Sequence, residues 1–173
     1  MRKNGNGTGY EVRGTLQELY DLLNEFDTAM LVTITPDGKL RARPMELQAP
    51  GELPGCDLWF VTGDDTAKVM EIAGEEQVCV CAYRGRDNAY VSISARARLE
   101  RDRAAISRLW RPSWKLFFPE GVNDPTIALL KLTVERAEYW APEGGQMRVL
   151  YEMIKSAFTG EPLEASLNPP KHV

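Results

Sequence analysis

Apolar residues recur along this chain with two different periods, and the points where the period changes mark out its elements. Leu16, Leu19, Leu22, Leu23 and Phe26 are spaced for one face of a helix. Thr15-Leu16-Gln17-Glu18 has the capping-box form, so a helix is predicted over about residues 15–26. Residues 30–35 are rich in β-branched side chains and read as a strand. Pro36-Asp37-Gly38-Lys39 is a turn, and residues 40–47 return as the hairpin partner. After a loop holding Pro50, Gly51, Pro54 and Gly55, an apolar strand is predicted at 58–62, then a short helix at 66–73 that stops at Gly74. Strands follow at 77–83 and 89–99, the second with Val91, Ile93, Ala95, Ala97 and Leu99 on one face. Asp102 caps a predicted helix reaching about residue 110. An aromatic, proline-bearing loop over 112–125 leads to strands at 126–134 and around 137–140. A helix is expected at about 146–158, after Gly144-Gly145.

Six or so strands joined largely by hairpins, with one helix in front and short helices inserted, show no regular strand–helix alternation. That disfavours a doubly wound parallel sheet. A mainly β fold is expected, a six-stranded antiparallel barrel, closed or split, which disposes of the strand edges. The 173 residues are expected to form a single domain, with about 1–12 and 161–173 as flexible tails.

Composition narrows the chemistry. A hydrophobic fraction of 43%, a charged fraction of 27% and a net charge of −4 suit an ordinary globular protein and argue against a dedicated nucleic-acid binder. No apolar run approaches the ~20 residues that span a bilayer, and no signal-peptide pattern follows Arg2 and Lys3, so a cytoplasmic location is expected. Three cysteines give no disulfide framework. Cys79 and Cys81 lie i, i+2 on one strand face, which admits a functional dithiol or metal pair as well as plain buried thiols. The single histidine is His172. A histidine zinc cluster and a Ser-His-Asp or Cys-His hydrolase are therefore excluded unless that tail folds into a site; no metal ligands and no catalytic residue are assigned. Any catalysis would come from a bound cofactor.

Three constellations carry candidate chemistry. In Thr62-Gly63-Asp64-Asp65-Thr66-Ala67-Lys68 a strand end meets a helix start, where free N–H groups and the helix dipole suit a phosphate. Hydroxyls of Thr62 and Thr66 with the Lys68 ammonium would complete an anion cradle. The same residues also describe a plain helix start with Lys68 on a solvated face, and Asp64 and Asp65 suit an anion only if they point away. In Arg41-Ala42-Arg43-Pro44-Met45 two arginines share a strand face, able to grip a phosphate or to stand in solvent. Trp110, Trp114, Phe117 and Phe118 could cover a planar ring, line a dimer contact or form a satellite core.

Taken in order, these segments resemble a family. Ala29-Met30-Leu31-Val32-Thr33 through Arg41-Ala42-Arg43-Pro44-Met45, then Leu58-Trp59-Phe60-Val61-Thr62 with Lys68, is similar to the pyridoxamine 5′-phosphate oxidase-like FMN-binding split barrels. Trp114-Lys115-Leu116-Phe117-Phe118-Pro119-Glu120-Gly121, Asn123-Asp124-Pro125 and Ala137-Glu138-Tyr139-Trp140 resemble the general stress protein branch. The resemblance covers about residues 15–160. It implies a homodimer with FMN at the subunit interface. Arg43, Pro44 and Met45 would lie along the isoalloxazine edge, with Arg41 beside them, Val61 and Thr62 at the strand end, and Thr66 and Lys68 on the phosphate. Trp114, Phe118 and Trp140 would reach the site from the partner subunit. The oxidases have an arginine before that lysine where this chain has Ala67, so one phosphate contact is missing or is replaced by Arg41. Residues 160–173 hold one histidine, one lysine and no arginine, so the substrate-phosphate site of the true oxidases is not evident.

The resemblance thus implies an FMN-dependent oxidoreductase of the general stress type. The alternatives are F420 on the same barrel, with haem disfavoured for want of an axial histidine, and a non-catalytic dimeric flavin-binding or regulatory protein.

Overall fold

The computed structural model describes residues 16–140 and 147–152. In chain order the elements are α1 (Leu16–Leu23), β1 (Thr28–Ile34), β2 (Leu40–Glu46), β3 (Leu58–Gly63), α2 (Ala67–Gly74), β4 (Gln77–Arg84), β5 (Ala89–Glu100), α3 (Arg103–Leu109), β6 (Ile127–Trp140) and β7 (Met147–Glu152). All strand pairs are antiparallel, in the order β2-β1-β4-β5-β6-β3. These six strands curl into the expected split barrel. The β1–β2 hairpin closes through Gly38, whose φ of +78° is a backbone state that most side chains avoid. Its N–H donates to Thr35 O at 2.8 Å.

Alternation decides what lies inside. Val91, Ile93, Ala95 and Ala97 of β5 are all buried in the main core, as their period-2 spacing predicts, together with Val78, Val80 and Ala82 of β4. Leu19 and Leu23 of α1 close one end of this core. A second cluster lies on the other side of β3. Leu58 and Phe60 face the main core, whereas Trp59 turns to Ile106 and Leu109 of α3 and to Trp114. Asp57 ties the layers at their edge: its carboxylate accepts from Val134 N at 2.8 Å and from the Tyr20 hydroxyl of α1 at 3.2 Å.

The end of the sheet departs from expectation. One continuous β6 replaces the two strands predicted at 126–134 and 137–140, because Glu135 is taken up as an extra residue where the β5–β6 register shifts. β3 covers only Ile127–Leu132 of β6, so the edge beyond is open. β7 pairs there, from Arg136↔Glu152 to Trp140↔Met147. Residues 147–152, expected as helix, are therefore a seventh strand; the rest of that predicted helix lies outside the described residues. A short apolar run cannot choose between the two periods, and an unpaired strand edge decides for it. No helix among the described residues is long and apolar enough to cross a membrane.

Two substitutions test this packing by urea denaturation. Ile93→Ala, at a fully buried site, should cost about 2–5 kcal/mol. Asp102→Ala, which removes the acceptor for Ala104 N and Ala105 N at the start of α3, should cost about 1 kcal/mol.

Candidate functional site

β3 ends at Gly63 and α2 begins at Ala67, so the intervening loop sets what the helix start presents. Asp64 is turned away: its N–H donates to Thr126 O at 2.8 Å, and its carboxylate pairs with Arg101 at 2.8 Å. Asp65 folds back over Gly63, where an added Cβ would stand 2.9 Å from Asp65 Oδ1. Of the two acids that weigh against an anion site, Asp64 is held aside from the helix start, whereas Asp65 stays close enough to act on Lys68.

Thr66 occupies the N-cap position with extended backbone, but its side chain does not cap the helix. The Thr66 hydroxyl donates to Gly63 O at 2.9 Å, stands 3.5 Å from Thr62 Oγ1, and accepts from Lys68 Nζ at 3.1 Å. Two hydroxyls and an ammonium therefore converge at the start of α2, where Val69 N–H is taken up by Thr66 O at 3.0 Å and the N–H groups of Ala67 and Lys68 come too early for an intrahelical acceptor. Burial, and then the neighbouring Arg43 charge, pull the Lys68 pKa below its ordinary value. The charges of Asp65 and Glu71 offset this only in part, and an incoming anion would favour the charged ammonium further.

The two arginines of β2 complete the cluster. Register places Arg41 opposite Thr33 and Arg43 opposite Leu31, on the inward face of the β1–β2 hairpin and beneath α2. There they meet Glu71, a carboxylate only 4% exposed. Arg43 Nη2 donates to Glu71 Oε2 at 2.7 Å, Arg41 Nη1 to Oε1 at 2.9 Å, and the Thr33 hydroxyl to Oε2 at 2.5 Å. Arg43 Nη1 also donates to Thr33 Oγ1 at 2.6 Å. Burial alone would raise the Glu71 pKa. The hydrogen bonds from Thr33 and Arg43, with the two guanidinium charges, outweigh it and hold Glu71 below the usual carboxylate range. Arg43 stands between Glu71 and Lys68, and its side chain is 18% exposed, against 56% for Arg41.

The structure thus brings Thr62, Thr66 and Lys68 together, with Arg43 close enough to act on Lys68 and Arg41 joined to the group through Glu71. Val61 lies on the β3 face that packs against the second core cluster. Met45 is buried in the main core, while Pro44 is exposed on β2. Among the described residues β2 pairs only with β1, so its other edge has no strand partner. Trp114 and Phe118 belong to the second core cluster. Both are buried, and Trp114 packs edge-on against Trp59 and Trp110 at ring separations of 6.2 and 5.7 Å. Their neighbours Leu116 and Phe117 are the exposed large apolar side chains of that loop. Trp140 pairs through its backbone with Tyr90 and Met147, and its side chain lies outside the described residues. Glu71 escaped the sequence reading. The available signal was Thr33, a polar residue at an inward position after Ala29 and Leu31, which calls for a buried partner.

Together these features define a split-barrel protein with a cationic cradle at a strand–helix junction. The sequence profile of the family described as pyridoxamine 5′-phosphate oxidase like matches residues 14–164, and the chain belongs to that family. None of the curated proteins matches the chain. Among solved structures it is similar to a protein related to general stress protein 26 from Clostridium acetobutylicum, with 20% identity, a TM-score of 0.65, and coverage of 78% of this chain and 92% of that one. General stress protein 26 from Bacillus anthracis str. Sterne matches with 20% identity and a TM-score of 0.62, covering 78% and 98%. The general stress FMN/FAD binding protein of Xanthomonas citri matches with 27% identity and a TM-score of 0.61, covering 80% and 96%.

Removing Glu71 leaves the Arg43 guanidinium without its carboxylate. Glu71→Ala should cost about 3 kcal/mol in urea denaturation at pH 7, the low end for breaking a buried pair, because Arg41 reaches solvent. Glu71 has its folded pKa depressed, so its stabilisation is full above the unfolded value of about 4.3 and is lost as pH falls through the folded value. The gap between wild type and Glu71→Gln should therefore narrow as the pH is lowered below about 4.

Proposed function

We propose that this chain binds FMN in the cradle at the start of α2 and works as a flavin-dependent oxidoreductase of the general stress type. The observation that carries the reading is the convergence of Thr62, Thr66 and Lys68 on the uncapped start of α2, with Arg43 behind them. That donor set fits a phosphate. Three cationic side chains stand against one buried carboxylate, with Asp65 at the margin, and leave positive charge for a dianion to balance.

In this reading the Lys68 ammonium and the two hydroxyls hold the phosphate, and the amides of the first turn of α2 contribute the positive end of the helix dipole. Glu71 and Thr33 fix the Arg43 guanidinium so that it adds charge without swinging into solvent. The unpaired edge of β2 at Arg43, Pro44 and Met45 offers backbone groups to the polar rim of the flavin ring; Pro44 donates no N–H there. Ala67 contributes no side-chain contact, and Arg41 can replace the missing one only by giving up Glu71 Oε1. Bound there, the flavin ring would supply hydride or electron transfer.

A second copy of the chain belongs to the same proposal. In this reading one chain covers the phosphate end and one edge of such a ring, while Leu40 of β2 and Met70 of α2 stand exposed as apolar side chains, 74% and 66% accessible. A homodimer with the cofactor at its interface would cover them. Sedimentation of the FMN-loaded protein should give twice the subunit mass.

Phosphate recognition is separable from ring recognition by comparing FMN with riboflavin, which lacks the phosphate. Quenching of flavin fluorescence should show FMN binding about ten-fold or more tighter than riboflavin, the worth of a charge-assisted hydrogen bond. Lys68→Ala should remove most of that difference. Equal affinity for FMN and riboflavin in the wild type would overturn the cradle assignment. Uptake of F420 in preference to FMN would overturn the choice of flavin.

A further inference from the structure

Cys79 and Cys81 take no part in the cradle. Val78, Val80 and Ala82 of β4 are buried in the barrel, so the cysteines between them face the outer side of the sheet, where both are partly exposed. Their sulfurs stand 3.5 Å apart. Ser92 of β5 is in register with Cys81; its Oγ lies 3.7 Å from Cys79 Sγ and accepts from Cys81 Sγ at 3.9 Å. β4 is paired on both sides, by β1 and β5, so the two thiols are held on an ordered strand rather than a loop. Among the described residues no group of three or more His, Cys, Asp or Glu side chains could hold a metal ion.

We propose that Cys79 and Cys81 form a redox-reactive dithiol that a hydroperoxide converts into a disulfide within one strand. The Cys79 thiolate attacks an oxygen of the hydroperoxide and the O–O bond breaks. Sulfur is oxidised by two electrons to a sulfenic acid, and the other oxygen leaves and takes a proton, as water or an alcohol. The Cys81 sulfur then attacks the sulfenic sulfur, the S–O bond breaks, and the hydroxide leaves as water with the Cys81 proton. Two thiols and one hydroperoxide thus give one disulfide, one water and one water or alcohol.

The surroundings divide the two roles. The hydrogen bond within the pair, against burial and the charge of Glu138 and with help from Ser92, draws Cys79 down to about 6, while the same pairing pushes Cys81 up. The pairing thus favours one thiolate beside one thiol, the attacking and the resolving group that the step above needs. Cys56 supplies the contrast: its thiol donates to Leu53 O at 3.3 Å and burial pushes it up to about 11. Two residues of a strand advance about 6.6 Å, near the upper limit of Cα separation that a disulfide spans. The bond formed there is strained, so thiols reduce it readily and the modification is reversible.

The test treats the full-length protein with one equivalent of hydrogen peroxide, with and without FMN, and follows thiol titre and peptide mass. Trypsin releases residues 69–84 as one peptide holding both cysteines. That peptide should lose two hydrogens, dithiothreitol should restore them, and Cys56 should still titrate. Cys81→Ser should stop at a sulfenic acid that dimedone traps, and Cys79→Ser should slow thiol loss about ten-fold or more. Oxidation of Cys56 at the same rate, or conversion of the wild-type peptide to sulfinic and sulfonic acids without a disulfide, would overturn the proposal. The readout requires no flavin, so failure of the FMN assignment leaves it standing.

Discussion

Glu71 sits where α2, β1 and β2 meet, and its carboxylate is the one negative group that all three elements address. Thr33 reaches it from β1, and Arg41 and Arg43 reach it from β2. A carboxylate this buried would be costly alone; here every partner is itself fixed in a hydrogen-bonded strand, so desolvation is offset by charge-assisted bonds. The consequence is positional. α2 is short, with few apolar anchors beyond Val69 and Ile72, and the Glu71 tie sets its orientation on the hairpin. The same tie fixes where Thr66 and Lys68 point, one turn away.

The barrel supplies the rigidity that this polar cluster needs. The inward faces of β4, β5 and β6 are apolar and close-packed, with Val80, Ile93, Leu132 and Val134 fully buried. The cradle lies at the rim, where β3 ends and the alternation gives way to threonines, a lysine and two arginines. Division of labour follows from solvent: the interior contributes burial, and the rim keeps the charges that a ligand can reach. On the outer side of the sheet the same alternation produces the Cys79–Cys81–Ser92 group, polar chemistry carried on the backs of core strands.

Much of this was legible one segment at a time. The hairpin at Gly38, the inward face of β5, the cap at Asp102 and the strand–loop–helix passage from Thr62 to Lys68 are all local patterns, with turn chemistry and period 2 or 3.6 behind them. Arg41 and Arg43 were readable as sharing a face, and they do. What the spacing did not disclose is their partner. Glu71 lies 28 residues beyond Arg43 and 30 beyond Arg41, and nothing local to either strand or helix records that contact. The aromatic loop was open for the same reason: without periodicity, spacing could not choose between a satellite core and a cover for a ring, and packing in the second cluster puts Trp114 and Phe118 inside while Leu116 and Phe117 stay exposed.

The sequence by itself determined the strand character of β1 to β6, which of their faces are apolar, and that a hydroxyl-rich loop with a lysine opens α2. Tertiary structure decided how far those residues are in one another's reach. It closed Glu71 over the arginines, turned Asp64 aside to Arg101, and made residues 147–152 a strand because β6 had an open edge. The reason is common to all three. Local pattern is set by neighbours along the chain, whereas charge pairing, edge pairing and burial are settled by residues that only the fold brings together.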